Sequence, residues 1–292
     1  MKHYKIGTGA IGGESGPLLL VGERVHRLAS VLGPSCPRTL EEVLADWARF
    51  DREIGAAVER LEDGGHAQAE VTFAPPVANP RKVLCIGTNY HDHLAEMAVK
   101  TLPPFPYGFL RPQTCLAAHG ERIPLPSGSK MVDWEAELAI VIGTRFGPGD
   151  PGDPVSAVAG YTVVNDVSAR DWIIDRPWVG IDWVMQKAWD KFQPTGPWIT
   201  PARFVADPGA LQLSLTVNGV TKQRSNTSNL IFGIREILTH LTGMMTLEPG
   251  DIIATGTPAG VGFGMKPQEF LKPGDRVAVT IDGLGTLENT FI

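Results

Sequence analysis

The stretch Asp133-Trp134-Glu135-Ala136-Glu137 leads directly into the apolar run Leu138-Ala139-Ile140-Val141-Ile142-Gly143. The apolar run is short, β-branched and closed by glycine, which predicts a strand buried on both faces. In the first part, alternate side chains of a strand share a face, so Glu135 and Glu137 should lie roughly 7 Å apart on one side. A hard cation such as Mg²⁺ or Mn²⁺ would relieve their repulsion. A half-exposed strand with an acidic outer face explains the same pattern, and the rest of the chain must decide.

The composition is that of an ordinary soluble globular chain. Its 292 residues are 43% hydrophobic and 20% charged, which suits one large domain or a small domain beside a larger one. The net charge is −6 and no basic block occurs, so we expect no nucleic-acid partner. The three cysteines form no CxxC pair, which argues against zinc and disulfides and fits a reducing cytosol. No apolar run approaches the roughly 18 residues of a membrane helix, so we predict a cytoplasmic protein without a membrane partner.

The first 75 residues are predicted to form a small N-terminal α/β domain. Residues 18–28 form a candidate hairpin around Gly22-Glu23. Residues 7–12 match GxGxxG, but residues 13–17 are rich in glycine and proline, so no helix can follow and we reject a dinucleotide site. Thr39 and Glu42 form a capping box for a helix that is predicted to run to about residue 61. Prolines mark a linker near residue 75, so the second domain is predicted to span residues 76–292.

Two polar pairs stand at element ends in the second domain. His93 and Glu96 are three residues apart on a predicted short helix, so the carboxylate can hold the imidazole as a base. A surface pair explains the same spacing. Asp166 follows a predicted strand and is either a ligand or a helix N-cap. A predicted helical turn over residues 167–172 would place Arg170 one turn beyond Asp166. Lys187 lies beside a turn, where lysines are usually solvated.

A glycine-rich loop, residues 256–264, follows a predicted strand over residues 251–255. It lacks the pattern of a nucleotide phosphate loop, but its backbone amides and the Thr257 hydroxyl could hold a substrate carboxylate. Residues 100–108 are rich in proline and form either an active-site lid or a plain loop. Asn218-Gly219 predicts a type I′ hairpin, and residues 230–244 predict an amphipathic helix.

Taken together, the motifs of residues 80–292 resemble the fumarylacetoacetate hydrolase family. Five of them occur in the family's order, which makes chance similarity improbable: Gly87-Thr88-Asn89-Tyr90 with His93 and Glu96; residues 133–138; Asn165-Asp166-Val167-Ser168-Ala169-Arg170-Asp171; Lys187 to Pro197; and Thr255-Gly256-Thr257-Pro258 with Gly260 and Gly262. The resemblance implies an α+β, β-rich catalytic domain, a roll of mixed β-sheets, in a homodimer.

The resemblance also implies a role for each candidate residue. Glu135, Glu137 and Asp166 would hold Mg²⁺ or Mn²⁺. His93 and Glu96 match the family's water-activating pair, on a segment that becomes a lid. Lys187 matches the lysine that contacts the substrate oxygen. Arg170 and Thr257 match positions near the substrate carboxylate. Position 89 is asparagine, where some members place an acidic ligand, so we expect three protein carboxylates and waters.

The implied chemistry leaves the reaction open among enzymes that act on 2-oxo acids. One reaction is hydrolysis of an acylpyruvate, such as fumarylpyruvate or maleylpyruvate, to pyruvate and a carboxylic acid. The other is decarboxylation or isomerisation, of oxaloacetate or of 2-hydroxyhepta-2,4-diene-1,7-dioate. Both pass through the same enolate, and the intact His93–Glu96 pair favours hydrolysis. A related sugar-acid hydrolase or dehydratase and a catalytically silent binding protein are further alternatives.

Overall fold

A computed structural model describes residues 2–62, 64–97, 101–174 and 180–292. The described helices are α1 (Leu28–Leu32), α2 (Leu40–Ala45), α3 (Trp47–Glu59), α4 (His91–Glu96), α5 (Asp171–Ile174), α6 (Trp183–Lys187) and α7 (Ile234–Thr242). The described strands are β1 (Tyr4–Ile11), β2 (Glu14–Val21), β3 (Arg24–Arg27), β4 (His66–Ala67), β5 (Val71–Ala74), β6 (Val83–Gly87), β7 (Tyr107–Arg111), β8 (Leu116–Ala117), β9 (Arg122–Ile123), β10 (Val132–Asp133), β11 (Ala136–Ile142), β12 (Val158–Asn165), β13 (Ser168–Ala169), β14 (Gln193–Pro194), β15 (Thr200–Pro201), β16 (Gln212–Val217), β17 (Val220–Asn226), β18 (Ile252–Ala254), β19 (Arg276–Ile281) and β20 (Gly285–Phe291).

A mixed six-stranded sheet, in the order β15-β12-β11-β18-β6-β7, forms the centre of the molecule. Its strand β11 is buried at every position, as the apolar run predicted. Leu138 and Ile140 pack into a cluster shared with the five-stranded sheet β17-β16-β19-β20-β9 and with α7. Ala139 and Val141 point to the opposite face and join a second cluster. The predicted α+β, strand-rich fold class is confirmed.

The N-terminal residues build a five-stranded sheet, in the order β4-β3-β2-β1-β5. The predicted hairpin is present as β2 and β3, and the GxGxxG match lies mainly within β1, where no helix opens. Ile6 and Leu19, with residues of α2 and α3, share the second cluster with Val83 and Ala139 of the central sheet. This apolar contact fixes the N-terminal part against the central sheet, and the division at residue 75 stays a prediction.

The predicted N-terminal helix is two helices. The capping box of Thr39 and Glu42 is present at the start of α2. Asp46, with φ −130° and ψ 51°, leaves the helical region and separates α2 from α3, which ends at Glu59. Aspartate forms hydrogen bonds readily in non-helical conformations, so it tolerates such a break.

Three further element predictions differ from the structure. The short helix predicted to carry His93 and Glu96 begins only at His91, because Thr88 has a positive φ of 57° that a helix cannot contain. The helical turn predicted over residues 167–172 is wrong at its start, where β13 pairs with β10 and the helix begins only at Asp171. The helix predicted over residues 230–244 is shorter, spanning α7.

The Asn218-Gly219 hairpin prediction is confirmed. Both residues have positive φ, 51° and 79°, and Val217 pairs with Val220 across the two-residue loop. Residues 100–108 were predicted to form either a lid or a plain loop. Residue 100 lies outside the described residues, residues 101–106 carry no helix or strand, and β7 begins at Tyr107, within the predicted range. Within the described part of the chain, no helix combines the length and the apolar character that crossing a membrane demands.

Candidate metal and substrate site

Three buried carboxyl groups converge where β11 and β12 meet. Glu135, Glu137 and Asp166 each offer an oxygen, and these oxygens lie within 4.8 Å of one another. The three residues are 1–5% exposed. An acidic outer strand face would leave such carboxylates in water, so the burial supports a binding site over that alternative.

The backbone of two neighbouring strands sets this geometry. Glu137 lies in β11 opposite Val164 of β12, but Glu135 precedes the strand rather than belonging to it. The amide of Glu135 donates to Asn165 Oδ1 at 3.0 Å, and the amide of Asp166 donates to the Glu135 carbonyl at 2.9 Å. The two acids therefore meet through hydrogen bonds at the strand ends and not through strand alternation alone.

Three buried cationic side chains compensate the acids. Lys187 Nζ donates to Glu135 Oε2 at 2.8 Å and to Asp166 Oδ2 at 2.7 Å. Arg170 donates to Glu135 Oε1 at 2.5 Å and to Asp133 Oδ2 at 2.9 Å. The third cation, Arg111, donates to Asp166 Oδ1. Lys187 is 2% exposed, so the expectation of a solvated lysine from its local sequence is wrong.

The charges around the acids set their pKa values in opposite directions. Burial disfavours ionisation of Glu135, but Lys187 and Arg170 outweigh it and hold the pKa of this carboxyl below its usual range. Burial and the neighbouring Asp166 and Glu135 raise the pKa of Glu137 well above its usual value. The metal-free site therefore keeps Glu135 ionised and favours a proton on Glu137.

The predicted pair of His93 and Glu96 is formed at the edge of the site. His93 Nδ1 lies 3.3 Å from Glu96 Oε2, and both side chains are largely buried. The Gly260 amide donates to the other carboxyl oxygen of Glu96 at 2.9 Å. Gly264 packs so closely that a Cβ there would lie 2.3 Å from the Glu96 carboxyl carbon. The glycine-rich loop thus fixes Glu96, which in turn orients His93.

The amides of the glycine-rich loop hold protein carboxylates, which differs from their expected use on a substrate. Gly256 donates to Glu137 at 2.8 Å, and Gly262 donates to Asp133 at 2.7 Å. The Thr257 hydroxyl donates to the Ala136 carbonyl at 3.0 Å. Because these donors are occupied within the protein, the loop positions the acidic residues. Contact of Thr257 with a substrate stays a prediction.

One cavity of about 200 Å³ joins the candidate residues. Its polar wall includes His93, Glu135, Glu137, Asp166, Arg170, Lys187 and Thr257. Its apolar wall includes Phe109 of β7 and Trp183 of α6, whose rings stack with centroids 4.3 Å apart. Glu96 lies behind His93, so all eight residues predicted from the sequence are brought together, seven on the wall and one behind it.

Sequence reasoning missed residues that position the site. Arg111 is 4% exposed and also donates to the carbonyls of Val167 and Lys187, so it ties both segments to β7. Gln223 accepts from the Ala136 amide at 2.8 Å and donates to the Thr257 hydroxyl at 2.8 Å. The available signal was position 111 itself, a charged residue directly after the apolar pair Phe109-Leu110. Gln223 gave no comparable signal within its polar strand.

The donor set fits a divalent metal ion. Carboxylate oxygens are the ligands that Mg²⁺ and Mn²⁺ prefer, and three buried ones within 4.8 Å could hold either ion. Asn89, which stands where an acidic fourth ligand was considered, uses its side chain on the Thr255 and Phe232 carbonyls at 2.8 and 3.1 Å. It therefore serves the loop and not the acidic cluster.

Comparison with known proteins places this site in a family. The family profile described as Fumarylacetoacetate (FAA) hydrolase C-terminal matches residues 82–292. The chain belongs to the fumarylacetoacetate hydrolase family. Members of this family are enzymes, and the acidic cluster lies within the matched part. The resemblance seen in the sequence motifs is confirmed.

Individual relatives of this family enzyme differ in their named reactions. Oxaloacetate tautomerase FAHD2A, mitochondrial, of Bos taurus is 44% identical over 263 residues, covering 89% of this chain and 81% of that protein. The crystal structure of maleylpyruvate hydrolase from a Sphingobium species with manganese(II) and pyruvate has a TM-score of 0.78 and 28% identity, covering 99% of this chain and 98% of that one. That of 2-hydroxyhepta-2,4-diene-1,7-dioate isomerase from Mycobacterium marinum has a TM-score of 0.70 and 29% identity, with coverages of 99% and 98%.

Proposed function

We propose that this protein is a divalent-metal-dependent oxaloacetate tautomerase, which interconverts the keto and enol forms of oxaloacetate. The observation that carries the proposal is the meeting of the acidic cluster, the Lys187 ammonium and the carboxylate-bound imidazole of His93 in one small cavity. The name of the bovine relative supports this reaction over the others.

A divalent cation held by Glu135, Glu137 and Asp166 would act as a Lewis acid on the substrate and orient its adjacent carboxylate and keto oxygens. The protein residues account for the proton transfer. The keto form loses a proton from C3 and gains one on the oxygen at C2, so the reaction balances without a second reactant. His93 takes the C3 proton, and Glu96 stabilises the imidazolium that forms.

Lys187 has the position of a counter-charge for this reaction. Its ammonium lies beside Glu135 and Asp166 in a buried wall, where a charge acts more strongly than in water. It stabilises the negative charge that develops on the C2 oxygen as the C3 proton leaves. Return of the proton from His93 to that oxygen completes the enol.

The size of the cavity favours a small substrate. Its volume of about 200 Å³ lies below the roughly 300–1,000 Å³ of typical ligand pockets. A four-carbon dioic acid such as oxaloacetate suits this space better than an acylpyruvate with a long acyl group.

Hydrolysis of an acylpyruvate is the second candidate, because the His93–Glu96 pair could equally activate a water. The maleylpyruvate hydrolase structure, which contains manganese and pyruvate, supports this candidate.

The cytoplasmic location expected from the sequence stays a prediction. The alternative is a mitochondrial location, which the name of the bovine relative gives for that protein.

The test supplies the purified protein with enol-oxaloacetate, fumarylpyruvate or maleylpyruvate, in Mg²⁺, Mn²⁺ or EDTA. Enol absorbance and pyruvate are followed together. We expect metal-dependent decay of the enol without pyruvate, and a lower kcat/KM on both acylpyruvates. A higher kcat/KM for pyruvate release from an acylpyruvate would favour the hydrolase. Pyruvate formed from oxaloacetate at the rate of enol decay would favour a decarboxylase.

A further inference from the structure

Gln186 is a buried amide side chain in the wall of the site that no step above uses. It precedes Lys187 in α6 and is 1% exposed. Trp183, Gln186 and Lys187 occupy positions i, i+3 and i+4 of the helix, so they share one face. All three line the cavity. Gln186 therefore faces the substrate space together with the proposed counter-charge.

The side-chain oxygen of Gln186 has no hydrogen-bond partner among the described residues. Buried amide oxygens normally accept a hydrogen bond, because leaving one unpaired is unfavourable. The cationic neighbours in the cavity wall are engaged elsewhere: Lys187 donates to Glu135 and Asp166, and Arg170 donates to Asp133 and Glu135. A donor can therefore come from a ligand in the cavity.

We propose that Gln186 accepts a hydrogen bond from the enol hydroxyl of the substrate, so that the site binds the enol tautomer of a 2-oxo acid more tightly than the keto tautomer. This inference rests on the proposed tautomerase activity. The carboxyl groups of oxaloacetate are ionised at neutral pH, so the keto form carries no O–H group. The enol form carries one, and the amide oxygen of Gln186 is an acceptor for it.

The substitution Gln186→Met tests this role, because it keeps the length of the side chain and removes the amide. The Mn²⁺-loaded protein is assayed in both directions, by enol absorbance and by exchange of the C3 hydrogen of the keto form with D₂O. The enol hydroxyl exists only after the proton has returned from His93 to the C2 oxygen, so loss of its hydrogen bond destabilises the enzyme–enol complex and not the transition state. We therefore expect KM and kcat for the enol to rise together by about tenfold, with kcat/KM unchanged. In the other direction, KM and kcat for the keto form should both be unchanged, as the tautomer equilibrium in water requires when kcat/KM for the enol does not change.

Gln193→Met is the matched control. Gln193 is 0% exposed and both of its amide atoms lack a partner among the described residues, but it does not line the cavity. We expect both KM values to stay at their wild-type level in this variant. A rise in the enol KM here would show that any buried amide has the same effect, which would overturn the inference. Gln186→Leu provides a second variant, with melting temperatures recorded for each protein, should the methionine variant fold poorly.

The remaining outcomes separate the inference from the function. Equal increases in both KM values, or an increase for the keto form alone, would overturn the role of Gln186 while leaving the tautomerase in place. A wild-type protein that accelerates neither direction in the presence of metal would overturn the proposed function and the inference with it.

Discussion

Lys187 joins two carboxylates that a metal ion would also need, through contacts of 2.8 and 2.7 Å to Glu135 and Asp166. Lys187→Met should therefore destabilise the metal-free protein and stabilise the metal-bound protein. Removing one partner of a buried ion pair typically destabilises a protein by about 3–5 kcal/mol, so the melting temperature in EDTA should fall. The affinity for Mn²⁺ should rise, because the ion then provides the missing positive charge, while tautomerase activity falls.

Lys82→Met is the control for this experiment. Lys82 pairs with the buried Asp251 at 2.7 Å, outside the acidic cluster. Its substitution should lower the melting temperature without changing Mn²⁺ affinity in calorimetric titrations. A Lys187→Met protein that binds Mn²⁺ more weakly than wild type would contradict competition between the ammonium and the metal.

The raised pKa of Glu137 predicts that metal binding depends on pH. Burial, Asp166 and Glu135 raise the pKa of its carboxyl in the metal-free protein, so a proton stays bound above the usual range of glutamate. A metal ligand must be deprotonated, so the ion displaces this proton and binds more tightly as pH rises. Below the raised pKa, the affinity for the metal should fall by about tenfold for each unit by which the pH is lowered. Metal binding should also release a proton, which calorimetric titrations in buffers of different ionisation enthalpy detect. A metal affinity that does not change with pH would contradict the displacement of a proton from Glu137.

At the residue scale, the sequence predicted the members of the candidate site better than the residues that hold them in place. The alternation of Glu135 and Glu137 and the family motifs were enough to predict the acidic cluster. Arg111 and Gln186 were not predicted, because their roles depend on partners that only the folded chain brings near. Lys187 shows the same limit: its local sequence resembles solvated surface, and its burial follows from Glu135 and Asp166.

At the scale of elements, the glycine-rich loop packs closely against Glu96 and so holds the pair of His93 and Glu96 in place. Gly264→Ala places a Cβ against the Glu96 carboxyl, whose flexible side chain can move away, so the fold should survive. The displaced carboxylate would release His93, and we expect kcat to fall at least tenfold with a melting temperature near that of wild type. Gly128→Ala, where a Cβ would meet nothing within 4 Å, should leave both quantities unchanged. Full activity of the Gly264→Ala protein would show that Glu96 does not need this support.

Element types were easier to predict than element ends. The apolar run of β11 and the Asn218-Gly219 turn carry strong local signals, and both are present. The helix expected over residues 40–61 breaks at Asp46, and the turn expected near residue 167 contains β13, which pairs with β10. Single backbone angles and pairing with distant strands decide such boundaries, and neither is visible in hydrophobic periodicity.

At the scale of the whole molecule, the family resemblance predicts a homodimer. Apolar side chains are exposed next to the central sheet, among them Leu110 of the edge strand β7 at 59% and Val184 of α6 at 69%. Burial of such a surface against a second copy would remove it from water. Light scattering should give twice the chain mass, and Leu110→Glu should shift it towards the monomer. Val220→Glu, at a hairpin residue exposed by 58%, should not. A monomeric wild-type protein at assay concentration would refute the dimer.

We expect one divalent ion, held by Glu135, Glu137 and Asp166, to make this cavity a catalyst for enolisation. The most direct test is a Mn²⁺ titration of the metal-free protein in which bound ion and the rate of enol-oxaloacetate decay are measured on the same samples. We predict that the rate rises in proportion to occupancy of a single site per chain, and that Asp166→Asn loses both tight binding and rate. A rate that is the same in EDTA, or Mn²⁺ binding that Asp166→Asn leaves unchanged, would contradict the claim.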